Sequence, residues 1–374
     1  MMHERNSFGM TSHQRAILGA VLEQPQIRRA EVSERLGISA QTTMRAVLPL
    51  IETGILTEAH VASGNRGKPA RELGFVPASL ATVGISLAVD RVHVEICDLA
   101  GRVLASANRK KTYDSARVQL GDLDRLLDTA TDDLPDTATI IAAGISVQGY
   151  LMSGSTRFAA KADPTGWAKI DLITHVSQRL GVNVRLLNDG RTLASSLIRS
   201  SSHQDFICLH IGSGIGGGVV SKGVLVTGAN GNAGEIGALF PEGPGRPVEP
   251  AFLKAAGLQN WAEWPGMERG ETSALSAFLD QSARSLSAAV TTALALLDFE
   301  AIYICSRMPV DILTSLGDRM KVDPIGTGRF DDELAARNAA PLIHISHIPN
   351  HAHLACRMAL DDFLAAADPA ISKG

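Results

Sequence analysis

The chain has 374 residues, of which 45% are hydrophobic and 20% charged. That length and composition suit a soluble globular protein of two or three folding units. No apolar run approaches the length needed to cross a bilayer, and Met1-Met-His-Glu-Arg5 opens no signal peptide, so a cytoplasmic protein without a membrane partner is expected. The net charge of −4 is unevenly spread: residues 1–75 hold nine Arg/Lys against seven Glu, while the remainder holds 26 basic and 32 acidic residues. The bulk of the chain would repel a phosphate backbone, which confines any DNA contact to the first segment.

In that segment Ile17, Leu18, Val21 and Leu22 mark one face of a first helix, and Val32 and Leu36 mark a second. A turn at Gly37 follows, and Ser39 is placed to cap a third helix through its side-chain oxygen. Met44, Val47, Leu48 and Ile51 are the expected apolar stripe of that helix, which leaves Gln41, Thr42 and Arg45 on the other side near its start. A recognition helix carries base-reading side chains there, and Gln and Arg suit adenine and guanine edges. Pro49 removes a backbone donor, so a kink or a short helix is expected.

Gly54 should stop the helix, and two short strands at 55–58 and 72–76 flank the basic, Gly-rich stretch Ser63-Gly-Asn-Arg-Gly-Lys-Pro-Ala-Arg71. This is the pattern of a winged helix-turn-helix, in which Arg66, Lys68 and Arg71 reach phosphates or the minor groove. The competing reading is a three-helix unit that packs or dimerises, with the Gly/Arg loop a solvated turn.

From Thr82 onward the pattern changes. Apolar runs at 83–89, 92–97 and 102–106 read as three strands, followed by a polar helix over about 114–134 and a buried strand at 139–147. A further strand at 183–187 ends at Asn188-Asp189. Phe206-Ile-Cys-Leu-His-Ile211 begins a second unit, runs into the cluster Gly212-Ser-Gly-Ile-Gly-Gly-Gly218, and returns along a strand at 219–225. Helical spacing spans about 273–297, a strand follows at 301–305, and a last helix lies at about 350–367. Strands alternating with helices in two halves imply a mixed α/β sheet architecture with a ligand cleft between lobes. Cys97, Cys208, Cys305 and Cys356 are far apart and form no C-x-x-C pair, so they read as buried thiols.

The chain resembles the ROK family, which contains sugar kinases and winged-helix repressors of sugar genes. The likeness runs through the winged helix, Asp98-Leu-Ala-Gly-Arg-Val-Leu104, Gly144-Ile-Ser-Val-Gln-Gly149, Asn188-Asp189, the 212–218 glycines, and Gly228-Ala-Asn-Gly-Asn-Ala-Gly-Glu-Ile-Gly237. It implies an α/β fold in which an N-terminal winged helix-turn-helix (1–78) precedes a two-lobed actin-like/hexokinase-like domain. Its lobes fall at 79–190, with the C-terminal helix at 350–370 added, and at 191–349. By the same resemblance Asn188, Asp189 and Glu235 bond the hydroxyls of a sugar, work that carboxylates and amides suit. Asn188-Asp189 also reads as a helix start, with Asp189 the cap of a helix over 190–200.

The departures from the family pattern carry as much as the matches. Sugar kinases of the family begin this domain with Asp-x-Gly-Gly-Thr, whose glycines admit ATP phosphates. Here Ser86, Leu87, Ala88, Val89 and Asp90 stand across those positions, so phosphoryl transfer is not expected and neither is ATP. The 212–218 glycines remain as either a tight hairpin or a remnant of nucleotide binding. Ala238 occupies the family's zinc-binding His position and 239–250 holds no Cys, so no zinc is expected. The resulting expectation is a regulator, a repressor of sugar-related genes. It binds a double-stranded operator as a homodimer and responds to a sugar or sugar derivative. The alternatives are an ATP-dependent sugar kinase with an attached reader and a DNA-binding protein with a vestigial pocket.

Overall fold

A computed structural model describes residues 9–61, 70–110, 115–152, 156–160, 163–325, 339–348 and 350–365. In chain order the elements are α1 (Ser12–Glu23), β1 (Ile27–Arg28), α2 (Arg29–Leu36), α3 (Ala40–Glu52), β2 (Leu56–Val61), β3 (Ala70–Phe75), β4 (Leu80–Leu87), β5 (Arg91–Asp98), β6 (Val103–Lys110), α4 (Ala116–Asp132) and β7 (Thr139–Val147). Then come β8 (Gly149–Leu151), β9 (Phe158–Ala160), α5 (Pro164–Trp167), α6 (Leu172–Leu180), β10 (Asn183–Asn188), α7 (Asp189–Leu197), β11 (Phe206–Ile211), β12 (Ile215–Ser221), β13 (Val224–Leu225), α8 (Glu249–Ala256), α9 (Met267–Gly270), α10 (Ser273–Leu297), β14 (Ala301–Ser306), α11 (Val310–Arg319), β15 (Leu342–His347) and α12 (His351–Ala365). They fall into two compact units. One comprises Met1–Val147, Ala162–Leu186 and Ala352–Gly374; the other comprises Gln148–Lys161 and Leu187–His351.

The first unit opens with the three helices. Thr11 and Gln14 form a reciprocal capping box on α1, and the chain turns at Gly37 with φ 63°. Ser39 Oγ accepts from the Thr42 amide at 3.1 Å, a cap worth about 1 kcal/mol. The buried stripe of α3 is Thr43, Ala46, Val47 and Leu50, while Met44 and Leu48 are exposed. This corrects the expected stripe by one position at most of its members. The reason is Thr43: its hydroxyl is satisfied by Ser33 Oγ at 2.8 Å and by the Ser39 carbonyl, so a polar side chain can face the core. Neither is the helix short. It runs three residues beyond Pro49, because a proline in the last turn forfeits one hydrogen bond without breaking the packed face. β3 pairs antiparallel with β2 and with β1, a two-residue strand that periodicity could not register.

The five-stranded sheet of this unit has the order β10-β7-β4-β5-β6. β4 and β7 run parallel with Gly84 opposite Gly144. α12 lies on that pair so closely that a Cβ at position 84 would sit 1.8 Å from the Ala352 carbonyl oxygen, and one at 144 would sit 2.1 Å from that of Ala355. The reader is not a separate core. Ile17, Leu18, Val32, Val47 and Leu50 pack in one cluster with Leu80, Leu99, Ile141, Leu360 and Leu364.

The second unit is built on a sheet of order β13-β12-β11-β14-β15. β11 pairs antiparallel with β12 and parallel with β14, and β14 pairs parallel with β15. α10 and α11 supply much of its aliphatic core through Leu275, Leu279, Leu286, Val290, Ile312 and Leu316. The expected single return strand at 219–225 is two. β12 begins at Ile215, so the turn holds only 212–214, and Gly216, Gly217 and Gly218 lie inside the strand opposite His210, Leu209 and Cys208.

Candidate functional site

Two sets of residues are functional candidates. The first is the outward face of α3. Ser39, Gln41, Met44, Arg45 and Leu48 are exposed there and Thr42 is half-buried, with the capped N-terminus of the helix at the head of the face. Gln41 and Arg45 fall one turn apart on it, where two adjacent base edges could be met. Met44 was assigned to the core from its apolarity. It is exposed and adds an apolar side chain to that face instead. Arg71 sits on β3 with an exposed side chain, 3.5 Å from Glu58, which also takes Arg29 at 2.7 Å. Arg66 and Lys68 lie outside the described residues.

The second set lies in the second unit, where β10 gives way to α7. Asn188 ends the strand and is itself the N-cap, its Oδ1 accepting from the Arg191 amide at 2.9 Å. The cap is therefore Asn188, not Asp189, because the helix starts one residue earlier than expected. Asn188 Nδ2 donates to Glu235 Oε1, so two of the three residues assigned to a sugar are bonded to one another. Asp189 Oδ1 accepts from the Gly190 amide at 2.8 Å, and its Oδ2 lies 3.4 Å from His210 Nδ1. Sequence and fold thus bring Asn188, Asp189 and Glu235 together.

Their ionisation is set apart by their surroundings. Burial opposes the charge on Asp189, but the hydrogen bond and charge of His210 outweigh it and hold the carboxyl at about 2. Burial, then the neighbouring Asp189, pushes Glu235 up to about 7. One carboxylate is fixed as an acceptor, and the other changes protonation near neutrality. Asn232 clamps the loop before Glu235 by bonding the amide and the carbonyl of Leu151 at 2.9 and 2.8 Å.

The strand glycines explain how these segments come so close. A Cβ on Gly190 would sit 2.3 Å from the Gly217 amide nitrogen, and one on Gly217 would sit 2.7 Å from the Gly234 carbonyl oxygen. Backbone of α7, β12 and the 228–237 motif is in direct contact, which only glycine permits.

Two clusters were not anticipated. His210, near the end of β11, and His351, at the start of α12, join Asp189. Their sequence separation hid them; the one signal was a His beside a glycine turn and a His-x-His opening a helix. In the first unit Glu95, Cys97 and His353 also converge, with His353 Nδ1 2.7 Å from Glu95 and 3.5 Å from Cys97 Sγ. All four cysteines are buried, but Cys97 is no isolated thiol. Hydrogen bonds from Cys356 and His353 draw it down to about 7, and Cys97 and Glu95 raise His353 to about 10.

At the positions of the kinase phosphate loop, Ser86 is buried within β4, opposite His93 and Ser146. The Ala88 amide donates to the Arg91 carbonyl in a tight turn, and Asp90 lies 3.5 Å from Arg91.

Residues 10–57 match the model of a winged helix-turn-helix DNA-binding domain, and residues 82–249 match that of the ROK family. The chain carries a ROK-family domain behind a winged helix-turn-helix. It is 26% identical over 332 residues to the protein y4fQ of Sinorhizobium fredii, covering 84% of this chain and 83% of that one. It is 24% identical over 229 residues to the xylose repressor of Bacillus subtilis, covering 60% of this chain and 59% of the repressor. Among solved structures, a ROK family transcriptional regulator homologous to the E. coli MLC protein superposes with a TM-score of 0.64 at 16% identity, over 95% of this chain and 98% of that one. That likeness fixes the fold of the winged helix and ROK domain together. No described helix is long and apolar enough to cross a membrane.

Proposed function

We propose that this protein is a cytoplasmic transcriptional regulator, a repressor, that binds a double-stranded operator through α3 and the wing and responds to a sugar or sugar derivative held by Asn188, Asp189 and Glu235. The observation that carries this reading is the exposed, Ser39-capped face of α3 bearing Gln41 and Arg45 in the segment that matches a winged helix-turn-helix. The xylose repressor's name supports a sugar as the effector class. Two copies related by a two-fold axis would read half-sites about one helical turn apart, or a multiple of that.

The same reading excludes catalysis. Ser86, Ala88 and Val89 leave no acidic metal anchor and no glycine approach for phosphates, so ATP is not a ligand. A carboxylate held at about 2 is a poor general base at neutral pH, since proton transfer is most effective when the base titrates near the working pH. Asp189 then serves as a hydroxyl acceptor. Zinc is not a ligand at Ala238 and the residues after it, which lack the donors. The direct test is duplex binding by the full chain, read by fluorescence anisotropy on the intergenic segments flanking its own gene, with a sugar panel added. Release by one sugar class supports the reading. Consumption of ATP dependent on a sugar would establish the kinase alternative.

A further inference from the structure

We propose that Asp189, His210 and His351 form a binding site for one divalent transition-metal ion of the Zn²⁺ or Co²⁺ type. The site uses none of the positions at which the family resemblance places zinc, and it does not depend on the effector being a sugar.

The geometry is that of converging donors. His210 Nε2 and His351 Nε2 lie 3.2 Å apart, with their rings tilted at 72°. Two imidazole nitrogens bound to one ion at about 2.0–2.1 Å in tetrahedral geometry stand about 3.3 Å apart. On its other edge His210 presents Nδ1 to Asp189 Oδ2 at 3.4 Å. This is the carboxylate–histidine arrangement that fixes a ligand's tautomer, and it directs Nε2 at His351 Nε2. His210 and His351 are therefore the nitrogen ligands. Asp189 orients the first of them and offsets the ion's charge.

The surroundings of the two rings are in keeping with the same assignment. His351 Nδ1 is buried with no hydrogen-bond partner among the described residues. Position 212 is glycine, and a Cβ there would come within 3.0 Å of His210 Cε1 and 3.2 Å of Nε2, so only glycine leaves this ring its position. Arg307 adds positive charge near His351, but it is held by Glu249 at 3.6 Å. The remaining coordination positions would be filled by water or by a ligand's oxygens.

The test is a titration of the chelator-stripped full chain with Co²⁺, followed by visible absorption, and with Zn²⁺ in competition with a chromophoric chelator. The wild type should bind with a spectrum showing nitrogen ligation. His351→Gln and His210→Gln should each remove one bound equivalent, and Asp189→Asn should weaken that equivalent by about 10–100-fold. Circular dichroism of each variant in chelator checks that the fold is retained. If one histidine variant unfolds, the other is read in its place together with Asp189→Asn. Binding by the wild type that none of these folded variants alters would overturn the proposal, as would a folded wild type that takes up no ion.

Discussion

The guanidinium of Arg15, on the first helix of the reader, lies 5.0 Å from the centroid of the Phe363 ring near the end of α12. Arg15 is almost wholly buried, and Leu360 and Leu364 on the same helix enter the core of the reader. A cation over an aromatic face, partly desolvated, contributes on the order of 1–2 kcal/mol beyond the packing. The reader is thereby fastened to α12 through a shared core. Replacing Phe363 by Ala should lower the unfolding free energy by about 2–3 kcal/mol in urea titration. The reader and the β4–β7 sheet should still melt as one transition; separate melting of the reader would show that the shared core is not cooperative.

The glycine pair beneath α12 should be intolerant. Gly84→Ala places a Cβ 1.8 Å from a backbone carbonyl oxygen, which a side-chain shift cannot relieve. A loss of about 1–3 kcal/mol or more is expected, or failure to accumulate as soluble protein. The same substitution at Gly223, where a Cβ meets nothing within 4 Å but φ is +72°, should cost less, about 1 kcal/mol from backbone strain alone.

On the reader, Arg45→Ala should cost about 1–3 kcal/mol of binding and relax preference at one operator position. Arg71→Ala should weaken all sequences alike and reduce the salt slope by about one. Met44→Ala should leave the fold intact, because the side chain is exposed. Competition with single-base operator variants separates the first two outcomes.

Glu235 and Asp189 should shape the pH dependence with opposite signs. The folded-state pKa of Glu235 is raised from 4.5 to about 7, so its contribution to stability is complete below about 4.5 and is lost as pH rises through about 7. That of Asp189 is lowered from 3.8 to about 2, so its contribution is present above 3.8 and lost as pH falls through about 2. Glu235→Gln should flatten the stability profile between pH 4.5 and 7 in denaturant titrations. A profile unchanged by that substitution would show that Glu235 does not titrate in this window.

Much of this was readable from the sequence. The turn at Gly37, the cap at Ser39 and the long helix starting at Ser273 follow from capping and period. The strands at 139–147 and 206–211 follow from continuous apolar runs. Residues whose role depends on partners distant in the chain were not readable. Thr43 was passed over because its burial depends on Ser33 beside it, and Met44 looked like core until its neighbours were buried instead. Asn188 and Glu235 were selected separately, but their mutual hydrogen bond needed the fold. His210 and His351 are 141 positions apart, and no local pattern joins them. Glycines 216–218 read as a loop because glycine marks turns. They lie in a strand because three backbones meet there.

On the function proposed here, a ligand at Asn188, Asp189 and Glu235 governs DNA binding rather than undergoing a reaction. The most direct test is anisotropy of a labelled duplex from the gene's own flanking region, bound by the wild type and by Asp189→Asn across a sugar panel. Salt-sensitive binding that one sugar releases from the wild type, and that the same sugar leaves unchanged in the variant, is the predicted result. Equal release from both proteins, or no affinity for any flanking duplex, would contradict it.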